Sequence, residues 1–407
     1  MKLFQINVVA NSGSTGRIAE ELGTLVISHG WDSYIAYGRW ANQSKSTLIH
    51  VGNKFDLYSH VVISKLFDRH GLGSKSSTKR LLRIIDEIHP DIIHLHNLHG
   101  YYLHYPTLFQ YLAHIDIPVV WTLHDCWSMT GHCVHFQNVS CNKWQTQCKN
   151  CCNLKGYPNS LLTDNSHHNF ILKKRYFNSV NNLTVVSVCS WLDGIVAQSY
   201  LKNHRHCVIL NGIDIELFKP TKSDIRNKLG INTEKIVLSV ANVWNETKGW
   251  SDMLKLRKGL PFHVKIVIVG VTKVQQKMLP EGVIGIQHTE SISQLVELYS
   301  SADVFVNPTY EDTLPTVNIE SIACGTPVVT YDTGGCRDIV DTSVGSLVKT
   351  GDIKALISEI KSILAQRKES YITNCRRKAV EKFDMHRRFE DYWNLYSKLI
   401  NSAQNDV

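Results

Sequence analysis

Short runs of β-branched residues alternate with longer amphipathic stretches along the first half of the chain. This alternation is typical of βαβ units, which build parallel sheets. Apolar residues at helical spacing predict helices at Arg17–His29 and Thr78–Ile88. The predicted strands are Leu3–Val9, Ser33–Tyr37, Ile92–Leu95, Val119–Leu123, Thr184–Val188 and Val208–Leu210.

The alternation restarts after Phe218–Asp224, a short polar segment that contains Pro220. The predicted strands of this second half are Ile236–Val240, Val264–Val269, Val304–Asn307 and Pro327–Thr330, and its predicted helices lie near Trp250–Arg257, Ser293–Ser300 and Val317–Ala323. A last amphipathic helix is predicted at Arg387–Ile400. The pattern indicates two doubly wound α/β units, whose ligand sites lie at the carboxyl ends of the strands. If these ends face each other, the units form a cleft.

Length and composition fit this two-unit picture. The 407 residues include 43% apolar and 20% charged residues, which is ordinary for a globular protein. We expect an N-terminal domain over 1–205 with a Cys-rich insertion at 126–152, a C-terminal domain over 206–385, and a final helix over 386–407. The net charge of +8 suits an anionic ligand or an anionic membrane surface and does not single out nucleic acid.

The chain contains no apolar run of about 18 residues, the length that a membrane-spanning helix needs. The first residues, MKLFQINVVANSGS, have no small-residue cleavage site, so we do not interpret them as a secretory signal. A cytoplasmic protein is therefore expected. Its 11 Cys are then expected to be reduced thiols or metal ligands and not disulfides.

A glycine-containing turn, Asn11–Arg17, follows the first predicted strand. Gly13 and Gly16 would let the backbone approach a ligand closely, and the N-terminus of the next helix offers N–H groups to a phosphate. The alternative is an ordinary tight turn between a strand and a helix.

Histidines follow two predicted strands of the first half. His96, Asn97 and His99 come after one strand, and His124 follows the next. Polar side chains at the carboxyl ends of neighbouring strands favour a binding site, although any single histidine is more often a core or surface residue.

Six of the 11 Cys lie between Cys126 and Cys152. Four thiolates with one close Cys-x-x-Cys pair are the ligand set of a structural Zn²⁺. The predicted ligands are Cys133, Cys141, Cys148 and Cys151. His132 and His135 are competing ligands, and the alternative is a loop that contains several thiols.

Basic residues are interleaved with apolar residues between Ser59 and Arg83. Such a segment can lie on anionic lipid. A solvated helix face is the commoner explanation of a run of charges.

The second half carries a lysine and two carboxylates at predicted strand ends. Lys248 can hold a diphosphate and stabilise a leaving group that becomes more negative. Asp312 and Glu320 flank the start of a predicted helix, where the backbone of 313–316 suits an anionic or hydroxyl-rich ligand. Without further support, the two acids would be a helix cap and a surface residue.

The order of motifs in the second half resembles the family 4 glycosyltransferases, a retaining group with the GT-B fold. The resemblance covers nearly the whole chain and is most specific from Asn211 to Gly351. The first half is similar, more narrowly, to the transferases of colanic-acid and capsular-polysaccharide synthesis. The motifs are Asn211-Gly-Ile-Asp214, Lys248-Gly249, Val269-Gly270, Ala302-Asp303-Val304, Asp312-x7-Glu320 and Ala323-Cys-Gly-Thr-Pro-Val328.

This resemblance implies a role for each matching position. The residues assigned to catalysis are His124, Lys248, Asp312 and Glu320. The residues assigned to the donor are Gly16, Asn242, Thr313, Leu314, Pro315 and Thr316. We assign the acceptor to Arg17, His96, Asn97 and His99.

Three positions depart from the family's usual pattern. Asn242 stands where the family usually has an arginine, so the leaving group meets one fixed positive charge fewer. Asp312 is shorter than the usual glutamate, and Glu311 lies beside it. Pro315 replaces a frequent glycine and removes an N–H donor.

The resemblance implies a retaining transferase that moves a sugar from a nucleotide-diphosphate sugar to a lipid-linked oligosaccharide at the cytoplasmic membrane face. It also implies a final helix that crosses back to the N-terminal domain. No cofactor is expected for catalysis. The alternatives are a nucleotide-sugar epimerase, which needs no acceptor, and a scaffold that binds nucleotide without turnover.

Overall fold

A computed structural model describes residues 1–405 and divides into two compact units. The first unit comprises Met1–Ile209 together with the chain from Phe389 onward, and the second comprises Leu210–Arg388. Each unit is built on one parallel sheet with helices. The predicted α/β class is therefore confirmed.

The sheet of the first unit has seven parallel strands. They are β1 (Lys2–Asn7), β2 (Asp32–Tyr37), β3 (Thr47–His50), β4 (Ile92–Leu95), β5 (Val119–Leu123), β6 (Leu183–Ser187) and β7 (Arg205–Val208). Their order is β3-β2-β1-β4-β5-β6-β7. Strands β4, β5 and β6 are buried at every residue, as expected for strands covered on both faces. The order reverses between β1 and β4, so ligands are expected at the carboxyl ends of these strands.

Six α-helices accompany this sheet before the chain enters the second unit. They are α1 (Gly13–Ser28), α2 (Lys54–Phe67), α3 (Lys75–Ile88), α4 (Tyr105–Leu112), α5 (Ser166–Phe177) and α6 (Ser190–Gln198). Helix α1 buries Ala19, Leu22 and Val26, which recur at helical spacing on one face.

The sheet of the second unit has six parallel strands. They are β8 (Lys235–Val240), β9 (Val264–Val269), β10 (Val283–Ile286), β11 (Val304–Asn307), β12 (Val328–Tyr331) and β13 (Gly345–Val348). Their order is β10-β9-β8-β11-β12-β13. The order reverses between β8 and β11, which places the expected ligand site at their carboxyl ends.

The helices of the second unit are α7 (Ile225–Lys228), α8 (Trp250–Gly259), α9 (Lys273–Lys277), α10 (Ile292–Ser301), α11 (Thr316–Ala323), α12 (Cys336–Ile339), α13 (Ile353–Leu364) and α14 (Glu369–Phe383). One core joins sheet and helices: Val237, Ile266 and Val304 of the strands pack with Met253 of α8 and Leu356 of α13.

The last helix, α15 (Met385–Asn405), returns to the first unit, as expected. Its Tyr392 hydroxyl lies 3.1 Å from Thr122 Oγ1, and its Tyr396 hydroxyl lies 2.6 Å from His94 Nδ1. These contacts tie α15 to β4 and β5.

The structure corrects the predicted bounds of one helix and one strand, and it divides the chain into units at residues other than those expected. Helix α1 begins at Gly13 and not at Arg17, so Gly16 lies in its first turn. Strand β7 ends at Val208, where a strand was predicted to begin, and it pairs with β6. The first unit therefore runs to Ile209, past the expected boundary at 205, and the second runs to Arg388, past 385.

No helix within residues 1–405 combines the length and the apolar character that crossing a bilayer requires.

Candidate functional site

In the second unit, the loops that follow β8 and β11 come together. Gly249 has a φ of 76°, and a Cβ on it would lie 2.2 Å from the carbonyl oxygen of Pro308, so only glycine fits there. Tyr310 N donates to Thr247 O over 2.8 Å. This close approach brings Lys248 beside the acidic segment that follows β11.

Lys248 and Asp312 form an ion pair. Lys248 Nζ lies 2.8 Å from Asp312 Oδ2, and the two side chains are 35% and 23% exposed. The backbone N–H of Lys248 donates to Asn245 Oδ1 over 3.0 Å, which caps the short 3-10 helix that carries the lysine. The structure therefore brings together two of the residues assigned to catalysis, and the partly exposed pair is accessible to a charged ligand.

The segment from Thr313 to Thr316 leads into α11, which begins at Thr316. Thr313, Leu314 and Pro315 are buried, so this stretch would meet a ligand chiefly through its backbone. Pro315 is the N-cap residue and has no N–H. A glycine from the next loop fits tightly here: a Cβ on Gly334 would lie 1.8 Å from Asp312 O.

Glu320 lies one turn after Thr316 in α11, so the two side chains share one face of the helix. Tyr299 of α10 donates its hydroxyl to Glu320 Oε2 over 2.9 Å. Burial holds the pKa of Tyr299 well above its usual value, so the hydroxyl keeps the proton that it donates. The carboxylate is thus oriented by a residue that no sequence motif indicated.

Asn242 lies just beyond the carboxyl end of β8 and is exposed. Asn242 therefore lies at the same end of the sheet as Lys248. The arginine that is usual in the family at this position would add a second positive charge there.

In the first unit, His96 and His124 meet at the carboxyl ends of β4 and β5. His96 Nδ1 lies 3.3 Å from His124 Nε2, and the rings are stacked with centroids 5.6 Å apart. Burial lowers the pKa of His124 to about 4, so its imidazole is neutral at pH 7. His124 is only half-buried and is the member of the pair that can reach a ligand.

His96 supports His124 from inside the sheet. It is 1% exposed, and its Nε2 lies 3.1 Å from Gln5 Oε1. Burial keeps the pKa of His96 well below its usual value. Both ring nitrogens of His96 contact protein atoms, so any part that it has in acceptor binding would act through His124, and its assignment to the acceptor stays a prediction.

His99 and Asp125 form a second pair in the same unit. His99 Nε2 lies 2.7 Å from Asp125 Oδ2, and Asp125 Oδ1 accepts a hydrogen bond from Trp127 N. Burial by itself would raise the pKa of Asp125, but the charge and hydrogen bond of His99 lower it to about 2. Asp125 follows His124 directly, so the sequence contained a signal for it that we did not use.

The remaining assigned residues of this unit lie near the ends of β1 and β4. Gly16 is buried in the first turn of α1, and Arg17 is exposed, with its Nε donating to Gly13 O. Asn97 is half-buried, and its N–H donates to Asn7 Oδ1 over 3.2 Å. The side chain of Arg17 therefore reaches solvent, and the backbone of Asn97 is held against β1.

The Cys-rich insertion contains no disulfide, and all 11 Cys are free thiols. Cys133 and Cys151 are in hydrogen-bond contact, and a small cavity is lined by all four predicted zinc ligands and by His132. His132 Nδ1 lies 2.5 Å from Asp68 Oδ1, so this histidine is already engaged. Among residues 1–405, no three His, Cys, Asp or Glu side chains are arranged to hold a metal ion. Zinc binding stays a prediction.

Two family models match this chain, one for each half. The Glycosyltransferase Family 4 model matches residues 15–217, and the Glycosyl transferases group 1 model matches residues 221–380. Together they span both sheets and every strand from β2 to β13. The chain therefore belongs to the group 1 glycosyltransferases and is an enzyme of that class.

Individual relatives agree with this membership. The chain is 22% identical to the putative colanic acid biosynthesis glycosyl transferase WcaC of Escherichia coli K12, over 98% of this chain and 100% of the relative. It is 27% identical to the N,N'-diacetylbacillosaminyl-diphospho-undecaprenol alpha-1,3-N-acetylgalactosaminyltransferase of Campylobacter jejuni, over 50% of this chain and 57% of that one.

A solved structure shows the same fold. The crystal structure of Anabaena Alr3699/HepE in complex with UDP-glucose superposes with a TM-score of 0.66 at 16% identity, covering 98% of this chain and 100% of that chain. The expected GT-B fold is confirmed.

Proposed function

We propose that this glycosyltransferase moves a sugar from a nucleotide-diphosphate sugar to a lipid-linked oligosaccharide, with retention, in the synthesis of a capsular or exopolysaccharide. One observation carries the donor half of the proposal: Lys248, Asp312 and Glu320 lie on the loops and helix that follow β8 and β11, where the strand order reverses. The UDP-glucose complex of HepE supports a nucleotide-sugar donor. The names of the Campylobacter and Escherichia relatives support a lipid diphosphate acceptor and a polysaccharide product.

Each residue of the second unit would meet a different part of the donor. Glu320, held by Tyr299, would accept hydrogen bonds from the ribose hydroxyls. Lys248 would turn from Asp312 to the diphosphate, and the N-terminus of α11 would add its partial positive charge. Asp312 would then accept hydrogen bonds from the donor sugar.

The transfer step would be a front-face displacement. The bond between the sugar C1 and the phosphate oxygen breaks, and a bond from the acceptor oxygen to C1 forms on the same face. The acceptor's proton passes to the departing phosphate oxygen, and Lys248 stabilises the resulting diphosphate. Neutral His124, which the family resemblance assigns to the transferred sugar, would be a hydrogen-bonding partner that adds no charge. This chemistry would use groups of the chain itself, and we propose that it needs no cofactor.

A thermal-shift screen with UDP, GDP, ADP and CMP tests the donor site. A nucleotide at about 100 times its Kd should add about 2.7 kcal/mol to the free energy of unfolding. One diphosphate that stabilises the protein supports the proposal and selects the sugar nucleotides for the transfer assay. No stabilisation by any of the four would contradict the donor site.

Transfer itself is tested with the selected sugar nucleotide and a lipid-linked acceptor. Glu320→Ala should abolish or severely reduce transfer, while Glu381→Ala, an exposed carboxylate of α14, should leave it unchanged. NMR of the product should show the anomeric configuration of the donor. Conversion of the donor without acceptor would favour an epimerase, and nucleotide binding without turnover would favour a scaffold.

A lipid-linked acceptor would place the enzyme at the inner face of the cytoplasmic membrane. We propose peripheral association there.

A further inference from the structure

We infer that one outward surface of the first unit docks on an anionic lipid bilayer. This inference rests on the proposed lipid-linked acceptor and names the surface through which the enzyme would reach it. The surface, called here the α2 face, consists of exposed apolar side chains on α2 and on a neighbouring loop. Its members are Phe55, Tyr58, Val62, Phe67, Leu161 and Leu162, with exposures from 46% to 80%.

Helix α2 exposes four of its large apolar side chains, Phe55, Tyr58, Val62 and Phe67, while its other apolar residues, Leu57, Val61, Ile63 and Leu66, are half-buried. Phe55, Tyr58 and Val62 recur at positions i, i+3 and i+7, which align them in one outward stripe. The residues that α2 buries against the unit are His60 and Ser64, which are both polar. A surface helix normally has the opposite arrangement, so this stripe favours a contact outside the unit.

A loop from a distant part of the sequence extends the stripe. Leu161 N donates to Lys65 O over 2.7 Å, and Thr163 Oγ1 donates to Leu66 O, so the loop is fixed to the last turn of α2. Leu161 is 65% exposed and Leu162 is 69% exposed beside this turn. Two segments about 100 residues apart in the chain thus present apolar side chains at one place.

Exposed basic residues lie on the same helix as the α2 face and on the helix that contacts it. Lys54, Lys65 and Arg69 are exposed on α2 and just after it. Helix α3, which contacts α2 through the Arg80–Asp56 ion pair, exposes three more, namely Lys75, Lys79 and Arg83.

Most acids of this region are occupied by other contacts, although the end of α3 also carries Asp86, which accepts from the Tyr111 hydroxyl, and the exposed Glu87. Asp56 accepts hydrogen bonds from Asn53 N and Ser77 Oγ, and Asp68 is buried against His132. Between residues 53 and 83 these are the only two carboxylates, against seven Lys and Arg. Beyond that range, Asp164, two residues from Leu162, accepts from Cys151 N and Ser166 N.

This combination identifies the occupant. Aromatic and aliphatic side chains that insert among acyl chains, with lysines and arginines around them, are the chemistry that binds an anionic membrane interface. A purely apolar protein partner would not need the excess of positive charge.

The buried side of α2 connects to the candidate acceptor site through a series of ring contacts. Helix α2 follows the carboxyl end of β3, and the ring of its His60 lies 6.0 Å from that of Tyr101. Tyr157 connects Tyr101 to His99, with ring distances of 6.4 Å and 5.9 Å. An acceptor whose lipid stays in the bilayer would therefore meet the histidines at the strand ends.

The test is flotation of the full chain with vesicles of phosphatidylcholine, with and without added phosphatidylglycerol. The wild type should float with the anionic vesicles and much less with the neutral ones. The triple variant Phe55→Gln, Tyr58→Gln, Val62→Gln should bind anionic vesicles at least about tenfold more weakly. The control triple Phe262→Gln, Val274→Gln, Met278→Gln removes equally exposed apolar residues from the second unit and should bind like wild type.

A second triple variant tests the charges. It combines Lys54→Glu, Lys65→Glu and Arg69→Glu, and it should abolish the preference for anionic vesicles. Absence of binding to both kinds of vesicle, or equal losses in both Gln triples, would overturn the inference. A dimer in light scattering that the α2 triple dissociates would make a second copy of the chain the occupant, and would also overturn it.

Flotation needs no turnover, so its outcome is independent of the proposed transfer. A water-soluble acceptor that lacks the lipid further separates membrane docking from transfer. The α2 triple should use such an acceptor at the wild-type rate and lose rate only with acceptor in vesicles. Loss with both acceptors would show that the α2 face serves folding or catalysis and not docking.

Discussion

Tyr299 donates a 2.9 Å hydrogen bond to Glu320 from a position with no exposed surface. The tyrosine belongs to α10 and the glutamate to α11, so the bond fixes the carboxylate relative to a neighbouring helix. Glu320 therefore has a defined orientation before any nucleotide arrives.

Tyr299→Phe should weaken nucleotide binding while leaving the fold intact. A hydrogen bond to a charged group contributes about 1.5–3 kcal/mol, so we expect the Kd of the nucleotide diphosphate to rise about tenfold. Isothermal titration calorimetry measures this. Tyr331→Phe is a matched control, because it also removes a buried hydroxyl that donates to a carboxylate, Asp252, over 2.8 Å. Equal affinity in Tyr299→Phe and wild type would show that Tyr299 does not orient Glu320.

Lys248→Ala should lower the rate of transfer by about 100- to 1000-fold, the usual effect of removing one charge-stabilising donor. Steady-state kinetics with the selected donor give the value, and Lys248→Arg should restore part of it. The control is Lys235→Ala, which breaks another Lys–Asp pair at 2.8 Å, with Asp303, at the amino end of β8. If both alanine variants lost rate equally, the loss would reflect stability and not leaving-group stabilisation.

The first unit should lose stability in acid at pH values well above those at which carboxylates are protonated. Burial lowers the pKa of His60 and His94 to about 3, and that of His104 and His124 to about 4. The unfolded chain takes up these protons near pH 6.5 and the folded chain does not. The free energy of unfolding should therefore fall as the pH drops from about 6.5 towards 4. Calorimetry at a series of pH values should show proton uptake on unfolding, and a constant Tm between pH 7 and 5 would contradict the prediction.

If the Cys-rich insertion holds zinc, elemental analysis of the untagged protein should find about one zinc per chain. Cys151→Ser should then lose the metal and lower Tm, whereas Cys207→Ser, which lies outside the insertion on β7, should keep it. A folded, metal-free wild-type protein would eliminate the zinc prediction.

Several interior strands that are mostly apolar could be predicted to the residue. β4, β5, β9 and β11 have the predicted bounds because both faces of each strand are covered. The edge strands β3 and β7 were missed or misplaced, since each has exposed residues at both ends and lacks the apolar run. Helix α2 has apolar residues on both its exposed and its half-buried sides, and its fully buried residues, His60 and Ser64, are polar, so the periodicity that finds ordinary helices did not indicate it.

The candidate site likewise contains residues that the sequence indicated and residues that it did not. Lys248, Asp312, Glu320 and His124 each belong to short motifs, and the sequence therefore indicated them. The residues that support them belong to no such motif. Gln5 contacts His96 across 91 residues, and Tyr299 contacts Glu320 from a different helix. Only the tertiary fold creates such pairs, so a single sequence contains no spacing that would find them.

The return of α15 has a consequence for biosynthesis. His94 and Thr122 lie in the middle of the first sheet, yet their hydrogen-bonding partners, Tyr396 and Tyr392, are translated only after the whole second unit. A ribosome-bound chain that already contains all seven strands of the first sheet still leaves these two polar groups without those partners. The first unit should therefore reach full protease resistance only after residue 396 has left the exit tunnel, later than the second unit that follows it in the chain.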